Sequence, residues 1–218
     1  MKKFIFSILF ILIFHIGCAS LKPERNVVNN QFVSTYPKIK IQIIPELAYI
    51  EGISQSGYAE GLEIQLTHSA DSYAFVEAEK ATSEVKRAII IEIKTTGGYY
   101  MGDFNRNMEK TALEYGKLEI GGKEYRYFTT IGTPTDKGYL TRHIYEKGYT
   151  MSCGLFKFYG RLIGANNVLT QIIYYENIKN SGLSCHSWKY KQSLTDSHLQ
   201  YLEGYNQRFK SSLEILEQ

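Results

Sequence analysis

Three cysteines, Cys18, Cys153 and Cys185, and four histidines beyond the N-terminal run, His68, His143, His186 and His198, are the side chains of this 218-residue chain best suited to chemistry. Their spacing argues against the common uses. No two histidines stand four apart, and the chain has no H-E-x-x-H to hold zinc on a helix face and no C-x-x-C for thiol exchange. Cys185 and His186 are adjacent, but a nucleophilic thiolate needs a lowered pKa and a base arranged in space, which adjacency does not supply. The segment Gly52 to Gly57, GISQSG, approaches a nucleophile elbow, yet its second glycine falls one place late for Ser54. It reads as a serine- and glycine-rich loop. Gly97 to Gly102, GGYYMG, lacks the Gly-Lys-Ser/Thr ending of a phosphate cradle and reads as a turn. These residue types and spacings assign no catalytic residue, no metal ligand and no cofactor.

Cys18 belongs to a different chemistry. Met1-Lys2-Lys3 is a cationic start, and Phe4 to Phe14 is apolar apart from one serine. As a helix, Phe4 to Ile16 would rise only about 20 Å, short of the roughly 30 Å hydrocarbon core of a bilayer. A charged start and a short apolar run form the pattern of a secretory signal peptide. Ile16-Gly17-Cys18 resembles the lipobox of bacterial lipoproteins, with His15 in place of the usual leucine. The resemblance implies a signal peptide over residues 1–17 and lipid on Cys18. It also implies a protein held at the cell envelope, at the outer membrane facing the periplasm because Ala19 follows the cysteine. Two or more acyl chains, at about 0.8 kcal/mol per buried methylene, anchor a protein stably.

Removing the signal also corrects the charge. Without Lys2 and Lys3 the 25 lysines and arginines fall to 23, against 22 aspartates and glutamates. A near-neutral exported chain has no overall electrostatic reason to collect on phosphate backbones, so nucleic acid is not an expected partner. Residues 18–31 read as a polar, proline-bearing tether and residues 32–218 as a single domain. An oxidising compartment favours joining Cys153 to Cys185, the alternative being two separate buried thiols.

Period-two alternation dominates the domain. Lys38 to Ile43, Leu62 to Thr67, Ser72 to Ala78 and Lys86 to Thr95 read as strands, and Ile89-Ile90-Ile91 predicts burial of the last on both faces. Gly121-Gly122 predicts a hairpin between Lys117 to Ile120 and Lys123 to Thr130. Lys147-Gly148 predicts another, between Tyr139 to Tyr145 and Tyr149 to Tyr159, and Val168 to Tyr175 adds a further strand. Helical spacing appears over Asp103 to Tyr115, and again after Thr195-Asp196-Ser197, with Leu199, Leu202, Tyr205, Phe209, Leu213 and Leu216 on one stripe. The expected fold is α+β: a twisted, mostly antiparallel sheet of seven or eight strands, covered by a C-terminal helix and a shorter middle helix. In layout, from Phe32 to Leu216, it resembles the PsbP-like α/β/α sandwich, which implies a binding or assembly accessory.

The 18 tyrosines are the compositional oddity. Their rings suit half-buried strands and their hydroxyls suit contacts, so packing is the default reading and an interface the functional one. Tyr99, Tyr100, Tyr125, Tyr127, Tyr139 and Tyr145 are the candidates for a binding surface on the sheet or its loops. The sequence therefore reads as a lipid-anchored envelope protein, a non-enzymatic module joined to the membrane through Cys18 and binding an envelope protein or ligand. The alternative is a periplasmic hydrolase built from scattered carboxylates and histidines, since such sites are defined by geometry rather than order.

Overall fold

A computed structural model describes residues 23–59, 66–96, 111–136, 141–164, 167–188 and 191–216. The chain opens with β1 (Arg25–Val28), β2 (Gln31–Thr35) and β3 (Lys38–Ile43), followed by the long strands β4 (Ala48–Ala59), β5 (Leu66–Ala78) and β6 (Val85–Thr96). Next come β7 (Glu114–Ile120), β8 (Lys123–Gly132), a short helix α1 (Arg142–Glu146), β9 (Gly154–Ile163) and β10 (Val168–Asn177). Three 3-10 turns then lead to α2 (Asp196–Ser212) and β11 (Leu213–Leu216). The expected single sheet is two: a four-stranded one in the order β1-β2-β3-β11, and a seven-stranded one in the order β4-β5-β6-β10-β9-β8-β7. Every one of these strand pairs is antiparallel.

Burial explains why the seven-stranded sheet needs so many isoleucines. Ile89, Ile91, Ile172 and Tyr174 face the main core, where they meet Phe32, Ile41 and Ile43 of the small sheet and Leu202, Tyr205 and Phe209 of α2. Ile90, Ile173, Ala88 and Tyr175 point the other way, onto Ile144 of α1 and Met151. A strand covered on both sides reads as a continuous apolar run, as Ile89-Ile90-Ile91 does. Phe209 stacks on Tyr159 with ring centroids 4.5 Å apart, fixing α2 against β9.

Several expectations are corrected. Arg25–Val28 lies inside the stretch read as tether, yet it is a strand: Asn29 and Asn30, both at positive φ, turn it back onto β2, and Arg25 pairs with Asp71 of β5. The Gly52–Gly57 stretch read as a loop is the heart of β4, whose backbone groups are taken up by β5. Of the middle helix expected over Asp103 to Tyr115, residues 103–110 lie outside the described residues, and Glu114 and Tyr115 begin β7. Most of the strand expected over Leu62 to Thr67 also lies outside them. The strand expected over Tyr139 to Tyr145 ends instead in α1, whose cross-strand place is taken by β8 pairing directly with β9. The C-terminal helix stops at Ser212, because Leu213 to Leu216 complete the open edge of β3, with Ile215 opposite Ile41. The Gly121-Gly122 hairpin forms as the sequence indicates, both glycines at positive φ and Ile120 opposite Lys123.

Candidate functional site

Of the tyrosines proposed as a binding surface, the three that lie in the described residues, Tyr125, Tyr127 and Tyr145, are each engaged in packing or in ties to loops. Tyr125 is 3 % exposed and belongs to the core. Tyr127, on the same face of β8, lies against Tyr159 with centroids 5.6 Å apart and beneath the Lys157 ammonium. Tyr145 sits on α1 and its hydroxyl donates to the carbonyls of Pro134 and Met151, so it ties loops together. Alternation does place Tyr125 and Tyr127 together, but on the face that the small sheet and α2 cover. Tyr99, Tyr100 and Tyr139, and Cys18 with the signal stretch, lie outside the described residues, as does Gly97 to Gly102. Cys153 and Cys185 are joined as a disulfide with Cα atoms 6.0 Å apart.

Two serine arrangements imitate catalytic ones. Ser54, the near-nucleophile of the sequence, donates to Asp71 at 2.5 Å, and Asp71 also holds Arg25. The serine thus donates to a carboxylate that is already held in an ion pair with Arg25, on a strand rather than at a strand-to-helix turn. Ser187 lies 2.9 Å from Nε2 of His198, a contact the sequence reading missed. Here the tautomer decides. The backbone N–H of Thr195 donates to Nδ1 of His198, so in the neutral ring the proton sits on Nε2. Nε2 therefore donates to Ser187, whose own hydroxyl goes to the carbonyl of Ser184 at 2.7 Å. A general base requires the reverse. Thr195 and His198 form a capping box at the start of α2, with His198 standing where glutamate or glutamine usually does.

Charged chemistry gathers elsewhere, in a cleft of about 580 Å³ at one end of the seven-stranded sheet. The turn from β5 to β6, reading EAEKATSEVKR over Glu77 to Arg87, supplies one wall. The end of β10, the 3-10 turn Lys179–Ser181 and α2 supply the other. Tyr201 and Arg208, seven residues apart on α2, share a face beside the apolar stripe of Leu202, Tyr205 and Phe209. Four ion pairs line the cleft: Glu77–Arg87, Glu79–Lys86, Glu84–Lys179 and Glu176–Arg208.

Two of these carboxylates are turned inward and held by several donors each. Glu176 is 6 % exposed. It accepts from Tyr174 at 2.8 Å, Tyr201 at 2.7 Å, and both Nε and Nη2 of Arg208. Glu84 accepts from Lys179 at 2.9 Å, from Asn177 at 3.1 Å and from the Ser152 hydroxyl. The Lys179 bond first and the Ser152 bond second hold its carboxyl down at about 2. Such a group is a fixed charge at neutral pH and a poor proton acceptor. Glu176 pushes the Arg208 guanidinium further up, fixing its positive charge.

A second cavity of about 600 Å³ runs between α2 and β7, lined in part by Leu113, Tyr115, Leu194 and Leu199. Beneath it Lys157, 3 % exposed, bonds Glu114 at 3.0 Å and Asn206 at 2.6 Å, while Asn206 and Thr129 donate back to Glu114. In that network the Lys157 charge is answered by Glu114, whose side chain is partly exposed at the cavity. No group of three or more metal-ligating side chains occurs among the described residues. No protein-family model, curated protein or solved structure matches this chain.

Proposed function

We propose that this chain is a lipid-anchored cell-envelope protein, held by acyl chains on Cys18 at the outer membrane facing the periplasm. Its folded domain is a non-enzymatic binding module that works through the charged cleft rather than through a tyrosine face. The observation that carries the binding reading is the state of the cleft's carboxylates. Glu84 and Glu176 are occupied by donors from neighbouring elements, and no histidine is among their hydrogen-bond partners. Such groups shape and charge a site without moving protons. The lipobox-like Ile16-Gly17-Cys18 supports the anchor.

Two measurements on the full-length protein test this reading. In detergent phase partitioning, the wild type enters the detergent phase and Cys18→Ser moves to the aqueous phase with an unchanged unfolding midpoint; unchanged partitioning sinks the anchor. In a thermal-unfolding screen of charged small molecules, at least one class raises the midpoint of the wild type and not of Lys179→Ala. A screen with no such class overturns the cleft as a binding site.

A further inference from the structure

The two sunk ion pairs are not symmetric toward solvent. At Glu84–Lys179 the carboxylate side chain is 18 % exposed and the ammonium 69 %; at Glu176–Arg208 the figures are 7 % and 41 %. The negative ends are inside and the positive ends outside. Hydrogen-bond capacity runs the same way. An ammonium carries three donors and a guanidinium five. Lys179 gives one bond to Glu84, and Arg208 directs Nε and Nη2 at Glu176, so both keep donors beyond those their carboxylates take. The carboxylates meanwhile already accept three or more bonds each, which leaves them little to offer a ligand. In the other two pairs the carboxylate is the more exposed partner, Glu79 at 50 % against Lys86 at 45 % and Glu77 at 30 % against Arg87 at 21 %, so the outward positive charge is confined to Lys179 and Arg208. Within a lining whose formal charges balance, the Lys179 and Arg208 side therefore offers a ligand surplus donors and positive charge.

From this we infer that the cleft is a seat for a phosphate-bearing ligand, gripped between Lys179 of the 3-10 turn and Arg208 of α2; the inference rests on the cleft being the binding site proposed above. Phosphate fits better than a lone carboxylate. Two cations from separate elements converge on one opening, and an oxyanion with three free oxygens and more than one charge can answer both at once. Asn180 lines the same opening and adds an amide donor. Glu84 and the buried Glu176 act as positioning groups, holding Lys179 and Arg208 in place before the ligand arrives, which spares the cost of ordering two long side chains on binding.

The test is calorimetric titration of full-length protein in a neutral detergent with inorganic pyrophosphate, and with spermidine as the cationic control. Pyrophosphate binds the wild type, weakens as salt rises, and binds Lys179→Ala about tenfold more weakly, the loss of one charge-assisted contact. Arg208→Gln weakens it further. Because that variant leaves Glu176 without its partner and can unfold the helix packing, the exposed Lys179→Ala is the decisive substitution. Binding of spermidine without pyrophosphate overturns the ligand class while leaving the cleft a binding site. Binding of neither overturns both, and pyrophosphate binding indifferent to Lys179→Ala overturns the location. The source of the phosphate is read by flotation of Cys18→Ser, which lacks the lipid attachment residue, with vesicles of phosphatidylcholine alone or with phosphatidic acid, whose phosphomonoester keeps three free oxygens. Lys179-dependent flotation only with phosphatidic acid assigns a lipid headgroup, and pyrophosphate binding without flotation assigns a free phosphate compound.

Discussion

His143 is fully buried, and neither of its ring nitrogens has a hydrogen-bond partner. Burial pulls its pKa below the ordinary 6.5, against the opposing pull of Glu51 and Glu146, and Glu51 is itself paired with Lys147. The neutral ring is thus the folded form. In the unfolded chain the histidine takes up a proton near its ordinary value and in the folded chain only at lower pH, so stability falls as pH drops through about 6.5. Urea midpoints measured from pH 8 to pH 5 should decline for the wild type and stay flatter for His143→Leu; parallel curves would refute this. Glu84 acts in a separate window. Its carboxyl is lowered from 4.5 to about 2, so its contribution is complete above 4.5 and lost as pH falls toward 2. Gly154 offers a steric counterpart. A Cβ there would lie 2.3 Å from the Tyr175 ring and 2.5 Å from the carbonyl of Glu176. Gly154→Ala should cost about 2–3 kcal/mol in denaturant unfolding by overpacking the β9–β10 seam; a cost below about 0.5 kcal/mol would show that the seam yields.

At the scale of elements, the disulfide fastens the 3-10 turn Cys185–Trp188 to the start of β9. Trp188, the sole tryptophan, is fully buried with its ring edge-on to His198 of α2 at 4.7 Å. Closing a loop of this length stabilises by roughly 3–4 kcal/mol in the chain-entropy model. The double variant Cys153→Ser, Cys185→Ser should lose about that much in urea unfolding, with Trp188 fluorescence shifting to the red if the turn lifts. Retained stability would mean that packing alone holds the turn. Local pattern made some elements legible: Lys38–Ile43 alternates along its whole length, and Gly121-Gly122 supplies the two positive φ angles of a tight hairpin. It failed where tertiary pairing overrode periodicity. Leu213 and Leu216 continue the helical stripe of α2 in sequence, but the open edge of β3 offers backbone bonds that only a strand can accept. Gly52 reads as a loop residue, yet its lack of a side chain makes room for Tyr73, whose ring would stand 2.8 Å from an added Cβ.

For the molecule as a whole, near-neutral composition conceals the local arrangement. The run EAEKATSEVKR shows charge of both signs in sequence, but nothing there says that Glu176 and Arg208, 32 residues apart, would close on the same opening. Tyrosine content is silent on the matching point, because alternation tells which rings share a face, as Tyr125 and Tyr127 do, and leaves open which face is covered. Binding is proposed for the cleft between the β5–β6 turn, the end of β10 and α2, with Cys18 as the proposed tether to the membrane. Amide hydrogen exchange of the full-length protein, with and without saturating pyrophosphate, tests that placement most directly. Slowed exchange should concentrate at residues 79–87, 176–181 and 201–208, and be lost in Lys179→Ala. Protection confined to the groove between α2 and β7, or none at all under saturating ligand, would contradict it.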